Sequence, residues 1–326
     1  VHTRDVAEMH AVFLQMRHTA LCETSALIRT QIAAYDQWLH PGKISALFVS
    51  ASSAQSAVLF DLADLEAFAC GSVAACFGPD YDRFEHRRMP RIPNGDLLLI
   101  SRILEIEGEK GEVQPGAELV SEYDVPADAW FYRQNAHTPY AVLMEIAMQP
   151  CGFLSAYIGS ALLYPNTDFY FRNLDGVGRL LADPDLRGRT VTNRVRLTSS
   201  TTVRGVILQQ FDFALACEGE TFYEGEATFG YFKRQALTNQ VGLDGGVSPP
   251  PWLQQAPAGA PVDVVDLTSA GAQGQLEFLD IVRVVEGGGR FGQGYVQAEM
   301  TVAPEDWFFA CHFYQDPVMP GSLGVA

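Results

Sequence analysis

Residues 307–324 read WFFACHFYQDPVMPGSLG. The run brings together several aromatic residues, one histidine (His312), an Asp-Pro step and a Pro-Gly step. It has the regular apolar spacing of neither a helix nor a strand. The pattern predicts a strand end that delivers His312 into a loop, and a Pro-Gly step that opens a new element.

A fainter copy of this run lies earlier in the chain. Four residues of the first copy, each 177 positions before its counterpart, are Val125, Trp130, Phe131 and Asn135, matching Val302, Trp307, Phe308 and His312. The chain therefore contains a long internal repeat. Because the first copy has Asn135 where the second has His312, the two copies cannot offer the same chemistry.

Composition limits the classes of protein to consider. The 326 residues are 48% hydrophobic, which allows one large domain or two medium ones with sizeable cores. A net charge of −17 argues against general binding to nucleic acid or to an anionic membrane surface. Six cysteines without Cys-X-X-Cys spacing indicate reduced thiols in a cytoplasmic protein. The chain begins without Met or a signal peptide, so we expect a piece of something longer.

Helices and strands alternate through the first two thirds of the chain. Helical spacing is found at 5–35 and 61–77, and the first of these belongs to an expected helical inter-domain linker, 1–60. Strands are predicted at 98–107, 117–125, 190–199, 206–217 and 221–232. The apolar run 141–162 contains Glu145, Gln149 and Pro150, so it predicts a buried helix rather than a membrane span. These elements together describe one sheet wrapped around one helix, over 61–235.

The last third repeats the beginning of that pattern. A linker rich in Pro and Gly is predicted over 236–274. The second copy then begins at 275, with strands at 276–285 and 295–302. The chain stops at Ala326, where the helix of the second copy is expected. The second copy is therefore predicted to be truncated in this chain.

Three short motifs resemble functional sites, but each fits a structural role better. Residues 287–292 satisfy GxGxxG, but a strand follows, whereas a dinucleotide site needs a helix there. Ser322 lacks the glycine two positions earlier that a nucleophile elbow requires. His312 and Asp316 are poor metal ligands, since Pro317 disfavours helical geometry at Asp316.

His312 can be a satisfied core histidine or a catalytic one. Its place at the entry to a loop favours display of a catalytic group. Gly321 begins a helix-like segment, whose first N–H could stabilise a developing oxyanion.

Glu145 and Gln149 lie four residues apart on one face of the apolar helix. They can mark a helix edge that touches water. In the other interpretation, burial raises the pKa of the Glu145 carboxyl, and Gln149 orients it as a general acid. Pro150 is predicted to kink the helix.

The segment CHFYQDPVMPG at 311–321 resembles the active-site segment of the 3-hydroxydecanoyl-ACP dehydratase/isomerase family, which has a hotdog fold. The first copy, with EIAMQ at 145–149 and PCGF at 150–153, is similar to the first hotdog of dehydratase regions in polyunsaturated fatty acid synthases and related polyketide-like synthases. The resemblance implies an α+β double hotdog. In such a fold an antiparallel sheet wraps a central buried helix, twice.

The family's mechanism can be carried onto this chain at two positions. Its catalytic histidine removes the proton alpha to the thioester, and a carboxyl of the partner hotdog handles the beta-hydroxyl. Here these positions are His312 and Glu145, while Asn135 and Ala326 occupy the two complementary positions. The resemblance thus implies one composite site. Two sets of further residues are implied by it. Gly321, Gln149 and Cys311 would support the reaction, and Pro320, Val318 and Phe313 would contact substrate.

The expected activity is that of a hydro-lyase, which converts a 3-hydroxyacyl chain on acyl carrier protein to the trans-2-enoyl thioester. There are two alternatives. The first is a dehydratase that also isomerises the trans-2 enoyl to the cis-3 enoyl. The second is a non-catalytic hotdog pair that binds acyl-ACP or acts as a scaffold. The resemblance implies no cofactor beyond the phosphopantetheine of the carrier. The expected partners are acyl carrier protein and other domains of the same megasynthase, without nucleic acid or a membrane span. Homodimerisation is left open.

One stretch of this acidic chain is locally basic. It contains Arg83, Arg87, Arg88 and Arg91, interleaved with Asp80, Asp82 and Glu85. The stretch can be a solvated loop of mixed sign or a docking surface for an acidic carrier.

Overall fold

The computed structural model describes residues 57–133, 135–238, 245, 247, 249–256, 261–268 and 274–325. Nearly all of the predicted linker 1–60, with its helix at 5–35, lies outside these residues. Gln134 and Ala326 lie outside them as well.

Two short helices stand where one was predicted over 61–77. Helix α1 spans Leu62–Cys70 and helix α2 spans Val73–Phe77. Asp61 caps α1 by accepting hydrogen bonds from the backbone N–H groups of Ala63 and Asp64. Ser72 caps α2 in the same way, which separates the two helices. A 3-10 helix, Pro79–Phe84, follows.

The central helix α3, Tyr140–Tyr157, is buried along most of its length. It continues through Pro150, which has no N–H to donate to the carbonyl of Ile146. That carbonyl instead accepts a 2.9 Å hydrogen bond from Nδ2 of Asn193, a buried side chain of the sheet. The sheet therefore satisfies the backbone group that the proline leaves free. Across the residues that the structure describes, no helix is long and apolar enough to cross a lipid bilayer.

Six antiparallel strands form the main sheet, in the order β1-β2-β4-β5-β6-β3. Their bounds are β1 Arg102–Glu107, β2 Glu118–Asp124, β3 Tyr170–Leu180, β4 Thr190–Val203, β5 Val206–Cys217 and β6 Glu220–Phe232. Five of these strands were predicted, and the predictions are confirmed. Strand β3 was missed because its polar and glycine-rich sequence shows no apolar alternation.

Helix α3 packs between this sheet and the N-terminal helices. Phe153 of α3 meets Phe60, Phe68 and Phe77 with ring centroids 5.2–5.5 Å apart, at steep interplanar angles. Gly159 ends the helical segment with φ of +81°, and a Cβ there would lie 2.7 Å from the backbone of Gly111 in the β1–β2 hairpin. The sheet thus wraps a buried helix, and the predicted hotdog arrangement is confirmed.

A second, three-stranded sheet has the antiparallel order β7-β8-β9. Strands β8, Ile281–Val285, and β9, Tyr295–Glu299, fall where the second copy was predicted, and residues 287–294 form the turn between them. Strand β7, Asp263–Asp266, lies within the predicted linker 236–274 and was missed. Two short helices accompany that segment, α4 Arg234–Thr238 and α5 Trp252–Gln255.

The segment 307–324 begins with a helical turn. Helix α6 spans Trp307–Cys311, and the backbone N–H of His312 donates to the carbonyl of Phe308 at 2.8 Å. The predicted strand end was therefore wrong, because one turn of apolar residues is too short to display helical spacing. The predicted helix-like segment at Gly321 is confirmed as a 3-10 helix, Gly321–Gly324.

Candidate active site

A cavity of about 340 Å³ lies where α3, the main sheet and the second copy meet. From α3 it is lined by Met144, Glu145, Met148, Gln149 and Gly152. From the second copy it is lined by His312, Phe313, Val318, Met319, Gly321 and Ser322. The two candidate catalytic residues thus face the same cavity, although they come from different copies of the repeat.

Matching contacts fix the second copy against the first. The Trp130 and Trp307 rings pack edge to face, with centroids 5.5 Å apart. Their indole N–H groups donate to the carbonyls of Asp96 and Gln275, whose own side chains form a 2.8 Å hydrogen bond. Because Trp130 and Trp307, which the repeat relates, make matching contacts, this arrangement has approximate two-fold character. It sets the position of α6, and hence of the histidine that follows it.

His312 is held in a defined tautomer. Its Nδ1 lies 2.9 Å from the carbonyl oxygen of Val318, and the Val318 N–H donates to the His312 carbonyl at 2.8 Å. A carbonyl only accepts hydrogen bonds, so Nδ1 carries the proton. In the neutral ring, Nε2 then has a free lone pair. His312 can therefore act as a base at Nε2.

The surroundings of His312 keep the ring neutral. Burial is the largest influence, and it lowers the pKa of His312 below its usual 6.5. The Glu145 carboxylate raises this pKa, and the Arg172 guanidinium lowers it. Since the net direction is downward, His312 is unprotonated near neutral pH.

Glu145 is buried on α3 and receives a hydrogen bond from the second copy. Oγ of Ser322 donates to Oε1 of Glu145 at 2.6 Å. Nε2 of Gln149 lies 3.5 Å from Oε2, whereas it donates to the Leu97 carbonyl at 2.7 Å. Gln149 also accepts from the Leu99 N–H at 2.9 Å. Gln149 therefore mainly anchors the segment before β1, and Ser322 makes the closer contact to the carboxyl.

Ser322 is a functional candidate that its sequence motif suggested only as a nucleophile. Its hydroxyl is buried and donates to a carboxyl, which is not the arrangement of a nucleophilic serine. No local sequence signal identifies this role, because the contact joins residues 177 positions apart and exists only in the fold.

The carboxylate of Asp316 is occupied by an arginine of the main sheet. Arg172 of β3 donates to both Asp316 oxygens, at 2.7 and 3.0 Å. In the described part of the chain, no group of three or more His, Cys, Asp or Glu side chains could hold a metal ion. His312 and Asp316 thus have partners within the protein.

The other candidate site residues divide into two groups. Phe313, Val318 and Gly321 line the cavity. Pro320 and Cys311 lie outside the lining: Pro320 is buried, and the Cys311 carbonyl accepts two 2.9 Å hydrogen bonds from Asn94. Burial raises the pKa of the Cys311 thiol. Cys311 therefore contributes to the contact between the copies rather than to the cavity wall.

The four arginines of the basic stretch have different environments. Arg91 is buried, lines the cavity and donates to the Phe68 carbonyl at 2.6 Å, so it is not available to a docking partner. Arg83 is exposed. Arg87 and Arg88 are half-buried, and the Arg88 guanidinium lies 4.4 Å above the Tyr170 ring.

In the first copy, the position equivalent to His312 holds a structural residue. Nδ2 of Asn135 donates to the Phe131 carbonyl at 2.9 Å, and Arg187 donates to the Asn135 carbonyl at 3.2 Å. The nearby His137 is 70% exposed and pairs with Asp183. This loop therefore presents no buried base among its described residues.

Comparison with known proteins adds the family. Residues 272–326 match the family described as FabA-like domain. The chain is 37% identical over 288 residues to a polyunsaturated fatty acid synthase subunit of Thraustochytrium sp., a match that covers 79% of this chain. It spans only 19% of that relative's length.

Two solved structures are also similar. One is the dehydratase heterocomplex ApeI:P from Xenorhabdus doucetiae, at 15% identity over 45% of this chain and 93% of that one, with a TM-score of 0.36. The other is a hypothetical thioesterase with coenzyme A from Streptococcus pneumoniae, at 14% identity over 40% and 85%, with a TM-score of 0.28. By sequence, the chain is therefore similar to part of a polyunsaturated fatty acid synthase subunit, and its residues 272–326 match the FabA-like domain.

Proposed function

We propose that the protein removes water from a 3-hydroxyacyl chain carried on acyl carrier protein and produces the trans-2-enoyl thioester. One observation carries this proposal: His312 and Glu145, from different copies, line a single cavity in which the histidine has a free Nε2. Base and acid on opposite copies are the two groups that a dehydration needs. The homology to a fatty acid synthase supports an acyl substrate.

The proton transfers can be assigned to these two residues. Nε2 of His312 takes a proton from C2 of the acyl chain, and the C2–H electron pair forms the C2–C3 double bond. The C3–O bond breaks, and the hydroxyl leaves as water with a proton from the Glu145 carboxyl. His312 ends protonated and Glu145 ionised, so a proton returned from His312 to Glu145 through solvent resets the site.

The negative charge that develops on the thioester oxygen needs a hydrogen-bond donor. Gly321 lines the cavity and opens the 3-10 helix Gly321–Gly324, so its backbone N–H suits this role. The lining side chains Met144, Met148 and Phe229 are apolar, which suits a hydrocarbon chain.

The test follows product formation directly. The full protein is incubated with a 3-hydroxyacyl pantetheine thioester, and the ultraviolet absorbance of the conjugated enoyl thioester is recorded. We expect the absorbance to rise, and His312→Ala to reduce its rate by about a hundredfold or more, as for loss of a general base. His137→Ala is the matched control, because this exposed histidine lies away from the cavity.

Two results would contradict the proposal. The first is an active His312→Ala variant. The second is a wild-type protein that retards acyl carrier protein on a gel without producing the enoyl absorbance. The second result indicates a binding or scaffolding role.

A further inference from the structure

Arg172 and Asp316 connect the two copies beside the cavity. Arg172 lies on β3 of the first copy, and both terminal nitrogens of its guanidinium donate to Asp316 of the second copy. Nη1 also donates to the Phe171 carbonyl at 2.7 Å, so the guanidinium is fixed to the sheet. A bidentate pair of this kind defines direction as well as distance.

Asp316 is at the turn of the loop that holds His312. The backbone groups of Phe313 and Asp316 donate to each other's carbonyls at 3.0 and 3.1 Å, and Gln315 between them has φ of +64°. The loop then returns to Val318, which accepts from the imidazole. A displacement of Asp316 should therefore also displace His312, because one short, hydrogen-bonded loop connects them.

Because this ion pair is largely buried, the loss of one partner should affect the protein more than it would in a surface pair. The Arg172 and Asp316 side chains are only 24% and 13% exposed. Exposed ion pairs contribute little to stability because water screens their charges. Removing one partner of a buried pair instead leaves an uncompensated charge in the protein interior.

We infer that Arg172 and Asp316 are positioning residues for His312: the pair holds the His312–Val318 loop against the first copy and balances the charge beside the imidazole. The inference rests on the proposed function in so far as it concerns turnover. Its electrostatic part concerns the imidazole alone and can be measured without turnover.

Several charged groups face His312. Among the described residues they are Glu145 from α3, Arg172 from β3, Arg91 from the segment before β1, and Asp316 from the loop itself. Arg172 lowers the pKa of His312. Because Asp316 forms an ion pair with this guanidinium, we expect its negative charge to offset part of that influence. Removing Arg172 should therefore raise the pKa of His312, and removing Asp316 should lower it.

The test compares three variants of the full protein. Arg172→Gln leaves the Asp316 carboxylate unpaired, so the acid limb of the pH profile of kcat/KM should move to higher pH. Asp316→Asn leaves the Arg172 cation unpaired, so this limb should move to lower pH. The double variant should return the limb close to that of the wild type. Both single variants should lose about ten- to a hundredfold in kcat, with KM within a few-fold, as expected when a catalytic group is displaced.

Arg102→Gln is the matched control. Arg102 makes a similar bidentate pair with Asp124, at 2.6 and 2.9 Å, and is 29% exposed, but it lies outside the cavity lining. We expect it to leave kcat and the acid limb unchanged. Melting temperatures of all variants separate loss of folding from loss of positioning.

A second readout does not need turnover. Carbethoxylation of the neutral imidazole by diethyl pyrocarbonate, followed at His312 by peptide mass spectrometry across pH, reports the same ionisation. Opposite shifts in the two single variants support the inference, even if the wild type proves inactive and the proposed function fails. Shifts in one direction, no shift, or an equal effect of Arg102→Gln would overturn it, even if the dehydration is observed.

Discussion

Oγ of Ser322 donates a 2.6 Å hydrogen bond to Oε1 of Glu145, across a separation of 177 residues. The bond joins the two copies at the cavity wall. It means that the second copy supplies both His312 and a hydrogen-bond partner for the Glu145 carboxyl. The contribution of both copies to the candidate site therefore extends beyond His312 and Glu145.

Ser322→Ala should lower kcat by about tenfold or more. Removing one partner of a buried hydrogen bond costs about 1–3 kcal/mol, and here the bond fixes the orientation of the Glu145 carboxyl. Steady-state kinetics with a 3-hydroxyacyl thioester measure the change. Ser322→Cys, which keeps a weak donor in the same space, should fall between the alanine variant and the wild type. If the alanine variant keeps full activity, Ser322 only fills space.

Glu145→Gln should be about as damaging as His312→Ala. Both residues act in one step at one cavity, so removing the second after the first should cost little more. The measurement is kcat/KM for both single variants and the double variant. Losses that multiply in the double variant would mean that the two residues serve separate sites, and the composite site would be wrong.

The acid limb of kcat/KM should have its midpoint below pH 6.5. Burial lowers the pKa of His312, and the base must be unprotonated to react. The same shift affects stability. Below about pH 6.5 the unfolded chain binds a proton that folded His312 does not, so the free energy of unfolding falls as pH decreases toward the folded pKa. Denaturant titrations of the wild type and of His312→Asn at pH 7 and at pH 5.5 measure this contribution. A midpoint of the acid limb above pH 6.5 would contradict the expected lowering of the His312 pKa.

The sequence predicted most elements because their apolar spacing is strong. The buried helix at 141–162 and the strands at 190–199 and 206–217 were all found with small shifts of their ends. Strand β3 was missed, since polar residues and two glycines interrupt it. Yet β3 carries Arg172, so the one missed strand of the main sheet is the one that anchors the histidine loop.

The candidate site was only partly predictable. His312 and Glu145 came from a motif and from a charged residue in an apolar helix, and both are local signals. The Ser322–Glu145 and Arg172–Asp316 contacts join residues 177 and 144 positions apart, which no local pattern reports. Arg91 was grouped with its exposed neighbours because charge predicts exposure. In the fold, its guanidinium instead satisfies carbonyls near the end of α1.

Gly152→Leu should shift the substrate preference to shorter acyl chains. Gly152 lines the cavity two turns along α3 from Glu145, about 10 Å away at 1.5 Å per residue. A Cβ at this position would lie 3.4 Å from Ile92 and 3.8 Å from Phe171, so a larger side chain must occupy the cavity. Competition between thioesters of increasing length measures the preference.

Gly152→Ala is the control for this change. One methyl group fits with ordinary contacts and should stabilise the helix by about 0.5–1 kcal/mol, without a change in chain-length preference. If Gly152→Leu folds and keeps the wild-type preference, the acyl chain does not follow this part of the cavity.

Reversing Arg83 and Arg87 to Glu should weaken the encounter with an acidic carrier. Arg83 is exposed, and Arg87 is half-buried with a 2.9 Å hydrogen bond to the Asn166 carbonyl. Charges at the rim of an interface mainly change the association rate and its dependence on salt. The apparent KM for carrier-bound substrate should therefore rise at low ionic strength, and less at high ionic strength. Turnover of a small pantetheine thioester should not change.

Arg91→Glu provides the contrast within the same stretch. Arg91 is buried and donates to the carbonyls of Phe68 and Gly71, so reversing its charge should lower the melting temperature and harm both substrates equally. A double variant of Arg83 and Arg87 that also harms both substrates equally would show that these two arginines support the fold. Carrier docking must then involve another surface, for which Lys233 and Arg234 are the next basic residues to reverse.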